Sequence, residues 1–212
     1  MNEEKSTNKI LTIILAIVLI VAVIVVVYAN LPETQTNENN NDNSNQDQNG
    51  DEEKELFTVI YGDEEKKYTM DNLINQFVPR TGFGAKRTNK PSISSPGNYT
   101  GILITDFIEE FSEELTNYSI NVTSNEEGEV DFQIYNYTTI QGTVKAYNIS
   151  NATDNLGYKN MKMILSYKKD GEHLDPSDDG NFMIGFINEN KKYSTPAFFW
   201  WKFVESIEII ID

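Results

Sequence analysis

The chain changes character three times along its length. Residues 1–9 are polar. Residues 10–29 run from Ile10 to Ala29 without a charged side chain. Residues 30–55 hold no apolar residue between Pro32 and Leu56. From residue 56 onward, apolar and polar positions alternate in short periodic runs.

Each pattern predicts a different element. At about 1.5 Å of rise per residue, the apolar run spans roughly 30 Å as a helix, the thickness of a bilayer hydrocarbon core. It is read as a transmembrane anchor, and a signal h-region is usually shorter. The triplet Val27-Tyr28-Ala29 also has the form of a small-residue cleavage site, so a removed signal stays open. Lys5 and Lys9 precede the run, and acids follow it. The positive-inside rule then puts the N-terminus in the cytoplasm and the remainder outside. Residues 30–55 read as a disordered acidic linker: Asn fills seven of positions 37–49, and eight acids face only Lys54. Such a sequence cannot bury enough surface to offset its ordering entropy.

Residues 56–212 are expected to fold as one extracytoplasmic domain. Short strands are predicted at Leu56–Tyr61, Tyr118–Thr123, Val130–Tyr135, Met161–Tyr167, Phe182–Ile187 and Ile207–Ile211. A short helix is predicted at Met70–Phe77, with Thr69 as its N-cap. A longer one is predicted at Ile102–Leu115, where Leu103, Phe107, Ile108 and Phe111 share a stripe. Residues 78–100 carry three prolines and three glycines, and they read as a long irregular loop. The expected fold class is α+β, mixed and β-dominated.

Composition narrows the chemistry. There are 33 acids against 17 bases, a net charge of −16, one histidine and no cysteine. This excludes a disulfide framework, a thiol nucleophile and a Cys-ligated metal. It also argues against a nucleic-acid partner, since phosphate neutralisation needs a basic surface. The domain has 14 bases and 23 acids, so its own charge is −9. A long stretch inverts that sign. No acid lies between Asn72 and Thr105, whereas Arg80, Lys86, Arg87 and Lys90 do. With Gly82 and Gly84 allowing close backbone approach, these four are the candidate binding residues for an anionic small ligand.

Other motifs are weaker. Asp175-Pro176-Ser177-Asp178-Asp179-Gly180 has oxygen side chains spaced like the start of a calcium loop, but position twelve would be Phe186, and a bidentate Glu is needed there. It reads as a polar turn. His173 lacks the partners of a catalytic triad. Six Asn-x-Ser/Thr sequons are candidate glycosylation sites: Asn98, Asn117, Asn121, Asn136, Asn148 and Asn151. They suit an outward-facing domain.

Three blocks carry a family resemblance. The first is Thr81-Gly82-Phe83-Gly84-Ala85-Lys86 with Tyr99-Thr100-Gly101-Ile102-Leu103-Ile104-Thr105-Asp106-Phe107-Ile108. The second is Met163-Ile164-Leu165-Ser166-Tyr167-Lys168-Lys169-Asp170-Gly171-Glu172-His173-Leu174. The third is Trp200-Trp201-Lys202-Phe203-Val204-Glu205-Ser206-Ile207-Glu208-Ile209. In this order they resemble the oxidoreductase molybdopterin-binding domain, the sulfite-oxidase-like fold. The resemblance implies that fold and a molybdopterin cofactor. It also implies a cysteine ligand to molybdenum, and this chain has no cysteine. The family's "glycine, x, proline, leucine, arginine" block reads Gly180-Asn181-Phe182-Met183-Ile184 here, without proline or arginine. The expectation is therefore a membrane-anchored extracytoplasmic protein acting as a noncatalytic binding or surface module, with a small anion or a surface protein as partner. The alternatives are a divergent molybdopterin-dependent oxidoreductase with a non-cysteine metal ligand, and a structural cell-surface glycoprotein.

Overall fold

The computed structural model describes residues 56–112 and 115–211. The expected head 1–9, anchor 10–29 and linker 30–55 lie outside the described residues. Among the described residues, no helix is long and apolar enough to cross a membrane. The expected fold class is corrected accordingly. What the structure presents is a β-rich domain of two sheets, in keeping with the expected β dominance, with no transmembrane helix among the described residues. Its helices are only four to seven residues long.

The first sheet has five strands. They are β1 (Phe57–Tyr61), β2 (Glu64–Tyr68), β5 (Tyr118–Glu126), β6 (Glu129–Asn136) and β13 (Val204–Ile211), in the order β2-β1-β13-β5-β6. Only β1 and β13 run parallel. Alternation fixes its two faces. Phe57, Val59, Ile120, Val122, Tyr135, Ile207 and Ile209 turn inward and are buried. They meet Phe77, which follows α1 (Met70–Gln76), Phe107 on α2 (Ile104–Glu109), and Phe182. The Phe107 ring lies 4.7 Å from Phe77 and 5.3 Å from Phe57, centroid to centroid. Such tilted aromatic pairs add to the stabilisation from burial alone.

The second sheet contains β3 (Arg80–Arg87), β4 (Ile93–Leu103), β7 (Thr143–Asn148), β8 (Asn151–Asn160), β9 (Lys162–Lys169), β10 (Glu172–His173) and β12 (Tyr193–Pro196). Its order is β10-β9-β4-β3-β12-β7-β8, with β11 (Met183–Ile187) also on β9. A third helix, α3 (Tyr137–Ile140), links β6 to β7. Four of the strands curl into a small closed unit. β3 pairs with β4, β4 with β9, and β9 with β11, all antiparallel. Just past β11, Asn188 returns to β3: the Phe83 N–H donates to the Asn188 carbonyl at 3.0 Å, and the Asn188 N–H donates back at 2.9 Å. The free edge of β3 is thereby shared between Asn188 and β12.

Two predicted elements are corrected. The expected irregular loop 78–100 is mostly the β3–β4 pair. Its glycines do not break the strands; they make room. A Cβ on Gly84 would sit 2.6 Å from the Trp200 ring. Pro96 falls at the bulge where the β3–β4 register shifts, so no ladder bond needs its missing N–H. The expected helix Ile102–Leu115 shrinks to Ile104–Glu109, because Ile102 and Leu103 pair with Leu165 and Ile164 on β9. By contrast, α1 starts where expected, with the Thr69 hydroxyl accepting the Asn72 N–H at 3.3 Å.

Candidate functional site

The four basic residues of the acid-free stretch do not converge. Adjacent strand residues point to opposite faces, and six residues of strand span about 20 Å. Arg80 is exposed at the start of β3, on the wall of a cavity of about 500 Å³ with Gly82, Lys162 and Asn188. Arg87 faces away from Lys86. Its guanidinium lies 4.2 Å from the centroid of the Tyr147 ring, and its Nε donates to the Ala152 carbonyl at 2.9 Å. Lys90 is exposed in the turn after β3.

Lys86 differs from the other three. It points into the closed unit and is only 9% exposed. Its amine lies 5.4 Å from the centroid of the Trp200 indole. Among the described residues the amine makes no ion pair and no hydrogen bond. Burial pulls its amine from an ordinary value of 10.5 down to about 8; Lys202 and Lys169 push the same way, and Asp179 and Asp178 oppose them. An ammonium held mostly out of water with no carboxylate in contact is costly unless something else meets it.

The surroundings are firmly built. The Trp200 indole N–H donates to the Thr195 hydroxyl at 2.7 Å, a fully buried bond. Gly84 and Gly185 leave the space that the ring fills. Tyr99 packs 5.0 Å from Trp200, its hydroxyl donates to the Ser95 carbonyl at 2.8 Å, and the Lys169 amine lies 5.7 Å from its ring centroid. Burial, then Asp179 and Asp170, hold the Tyr99 phenol far above its ordinary value, so it serves as a hydrogen-bond donor and not as a base.

The acids nearby are largely occupied. Lys202 reaches Asp179 at 2.9 Å and Asp178 at 3.1 Å. Burial lowers the Lys202 amine, but its bonds to Asp179 and Asp178 outweigh this and hold it above its ordinary value. The Asp170 carboxylate accepts the Asn98 N–H at 2.8 Å. Of Lys86, Lys169 and Lys202, only Lys202 is in contact with a carboxylate among the described residues.

Three left-handed residues border this region. Ser95, Asp170 and Phe203 all have left-handed φ values, 48°, 52° and 52°. Ser95 accepts the Tyr99 hydroxyl, Asp170 follows Lys169 and Phe203 follows Lys202. At Asp170 the conformation has an ordinary cause: with Gly171 it forms the two-residue turn between β9 and β10, where both residues take positive φ.

The remaining motifs take ordinary positions. The Asp175 carboxylate accepts the Ser177 N–H at 2.9 Å and its hydroxyl at 2.6 Å, as in a polar turn. Among the described residues, no group of three His, Asp or Glu is placed to hold a metal ion. His173 is exposed on β10. Of the sequons, Asn98, Asn117, Asn136 and Asn151 are exposed, while Asn121 and Asn148 are half-buried. Asn136 caps α3 by accepting the Thr139 N–H.

Sequence reasoning reached Lys86 but missed Lys169, Lys202, Tyr99 and Trp200 as its neighbours. All four lie inside the three quoted blocks, yet only strand pairing brings those blocks together. No family model matches the sequence, and no curated protein matches it.

Proposed function

We propose that this domain is a noncatalytic, extracytoplasmic binding module that captures a small oxyanion or carboxylate on Lys86 and Lys169. The apolar segment 10–29 would associate it with a membrane, and the acidic stretch 30–55 would space it from the surface. The carrying observation is Lys86: nine-tenths buried, without ion pair or hydrogen bond among the described residues, and under the influence of two further lysines. An incoming anion supplies the missing counter-charge. The nearby acids are held by Lys202 and by backbone, and Asp179 and Asp178 reach Lys86 only through space, without contact.

Sulfate is the suitable probe, because it does not titrate near pH 8. In calorimetric titration of the full chain, Lys86→Met is expected to weaken sulfate binding tenfold or more. Binding to the parent is expected to fall as pH rises through about 8, since the amine then loses its proton and its charge. Equal affinity in parent and variant, or a flat profile between pH 7 and 9, would sink the reading.

A further inference from the structure

β6 is an open edge. Its only ladder partner among the described residues is β5. On its solvent face Val130, Phe132 and Ile134 are 69%, 61% and 54% exposed. The backbone of these residues also faces outward. The Phe132 N–H donates to the Asp131 carboxylate at 2.8 Å, and the Ile134 carbonyl accepts from the Gln133 amide at 3.0 Å. Those groups are therefore turned away from the β5 ladder and closed off only by neighbouring side chains. An apolar stripe on an unpaired edge is the pattern that recruits another strand.

We propose that a second copy of this chain pairs with β6, antiparallel, about a two-fold axis through Phe132. The Val-x-Phe-x-Ile pattern is self-complementary about that point. Val130 meets Ile134 of the copy, and Phe132 meets its own counterpart. An isologous contact of this kind closes on itself. It joins two five-stranded sheets into one of ten strands.

Charge selects this arrangement. The acids Glu126, Glu127, Glu129 and Asp131 lie at one end of the hairpin, and Tyr135 to Thr138 at the other end are uncharged. Antiparallel pairing about Phe132 sets Asp131 opposite Gln133 and Glu129 opposite Tyr135. A parallel pairing would stack acid on acid. A shift to an axis through Asp131 would put that carboxylate against itself. Like charges directly opposite destabilise a strand pair.

The absence of cysteine makes the test specific. A hydrogen-bonded antiparallel pair has its Cα atoms about 5.5 Å apart, within disulfide reach. Mild oxidation of full-length Phe132→Cys, made in a host that adds no glycans, is expected to give a covalent dimer. Ile134→Cys should not link, because its counterpart lies four residues along the strand, about 13 Å away. The double variant Val130→Cys/Ile134→Cys keeps Phe132 and should link again. Failure of both linking variants, or linking of Ile134→Cys as fast as Phe132→Cys, overturns the proposal.

Discussion

Gly101→Ala is expected to cost the domain ~3 kcal/mol or more of folding stability, well beyond an ordinary surface substitution. Gly101 lies on β4 opposite Ser166 on β9, where the register shifts. A Cβ there would fall 2.2 Å from the Leu165 carbonyl oxygen and 2.7 Å from both the Leu165 carbonyl carbon and the Ser166 Cα. All three atoms are backbone, so no side chain can rotate away. Relief requires β4 and β9 to separate, which breaks the ladder that closes the small unit around Trp200. Gly171→Ala is the matching control. Its added Cβ meets nothing within 4 Å, so only its left-handed φ of 92° is strained, at about 1 kcal/mol. Urea denaturation of both variants checks the contrast.

Lys86→Met is expected to move stability the other way. At pH 7 the parent keeps an ammonium charged where burial disfavours it. Its displacement from 10.5 to about 8 bounds that penalty at about 3 kcal/mol, and residual water at the amine brings the expected gain to about 1–2 kcal/mol. The folded amine has the lower value, so between pH 8 and 10.5 the unfolded chain holds more protons. Parent stability therefore rises with pH across that window, and the penalty is fully present below it. Methionine removes the charge and retains a flexible apolar stem to lie against Trp200. The variant should be more stable than the parent at pH 7, and the gap should close towards pH 10.5. A lysine that served the fold would give a loss at pH 7 instead. Stability rising as binding falls is the trade-off expected of a residue kept for its ligand.

The sequence disclosed the fold unevenly, for identifiable reasons. The hairpin of β5 and β6 was legible because apolar residues alternate on either side of Asn125–Gly128, where the Asn125 side chain accepts the Gly128 N–H at 2.9 Å. α1 was legible from its Thr69 cap. β8 was not, because Asn151–Asn160 is a polar, mostly exposed edge strand whose pattern resembles a loop. β3 and β4 were hidden by glycines that usually punctuate strands but here admit Trp200 and the neighbouring backbone. At the site, charge counting found the acid-free stretch and with it Lys86. It could not join Lys169 and Lys202 to Lys86, although each lies in an acid-free run of its own, residues 155–169 and 190–204, because a one-dimensional count does not say which runs meet in space. Their proximity to Lys86 follows from β4 lying between β3 and β9, and from the chain after β12 returning Trp200 between Gly84 and Gly185.

The most direct test is an NMR titration of the Lys86 ammonium with and without sulfate. If Lys86 is held unpaired to receive an anion, its pKa should climb from about 8 towards the ordinary lysine value as sulfate saturates the site. A titration curve that stays in place at saturating sulfate would contradict that role.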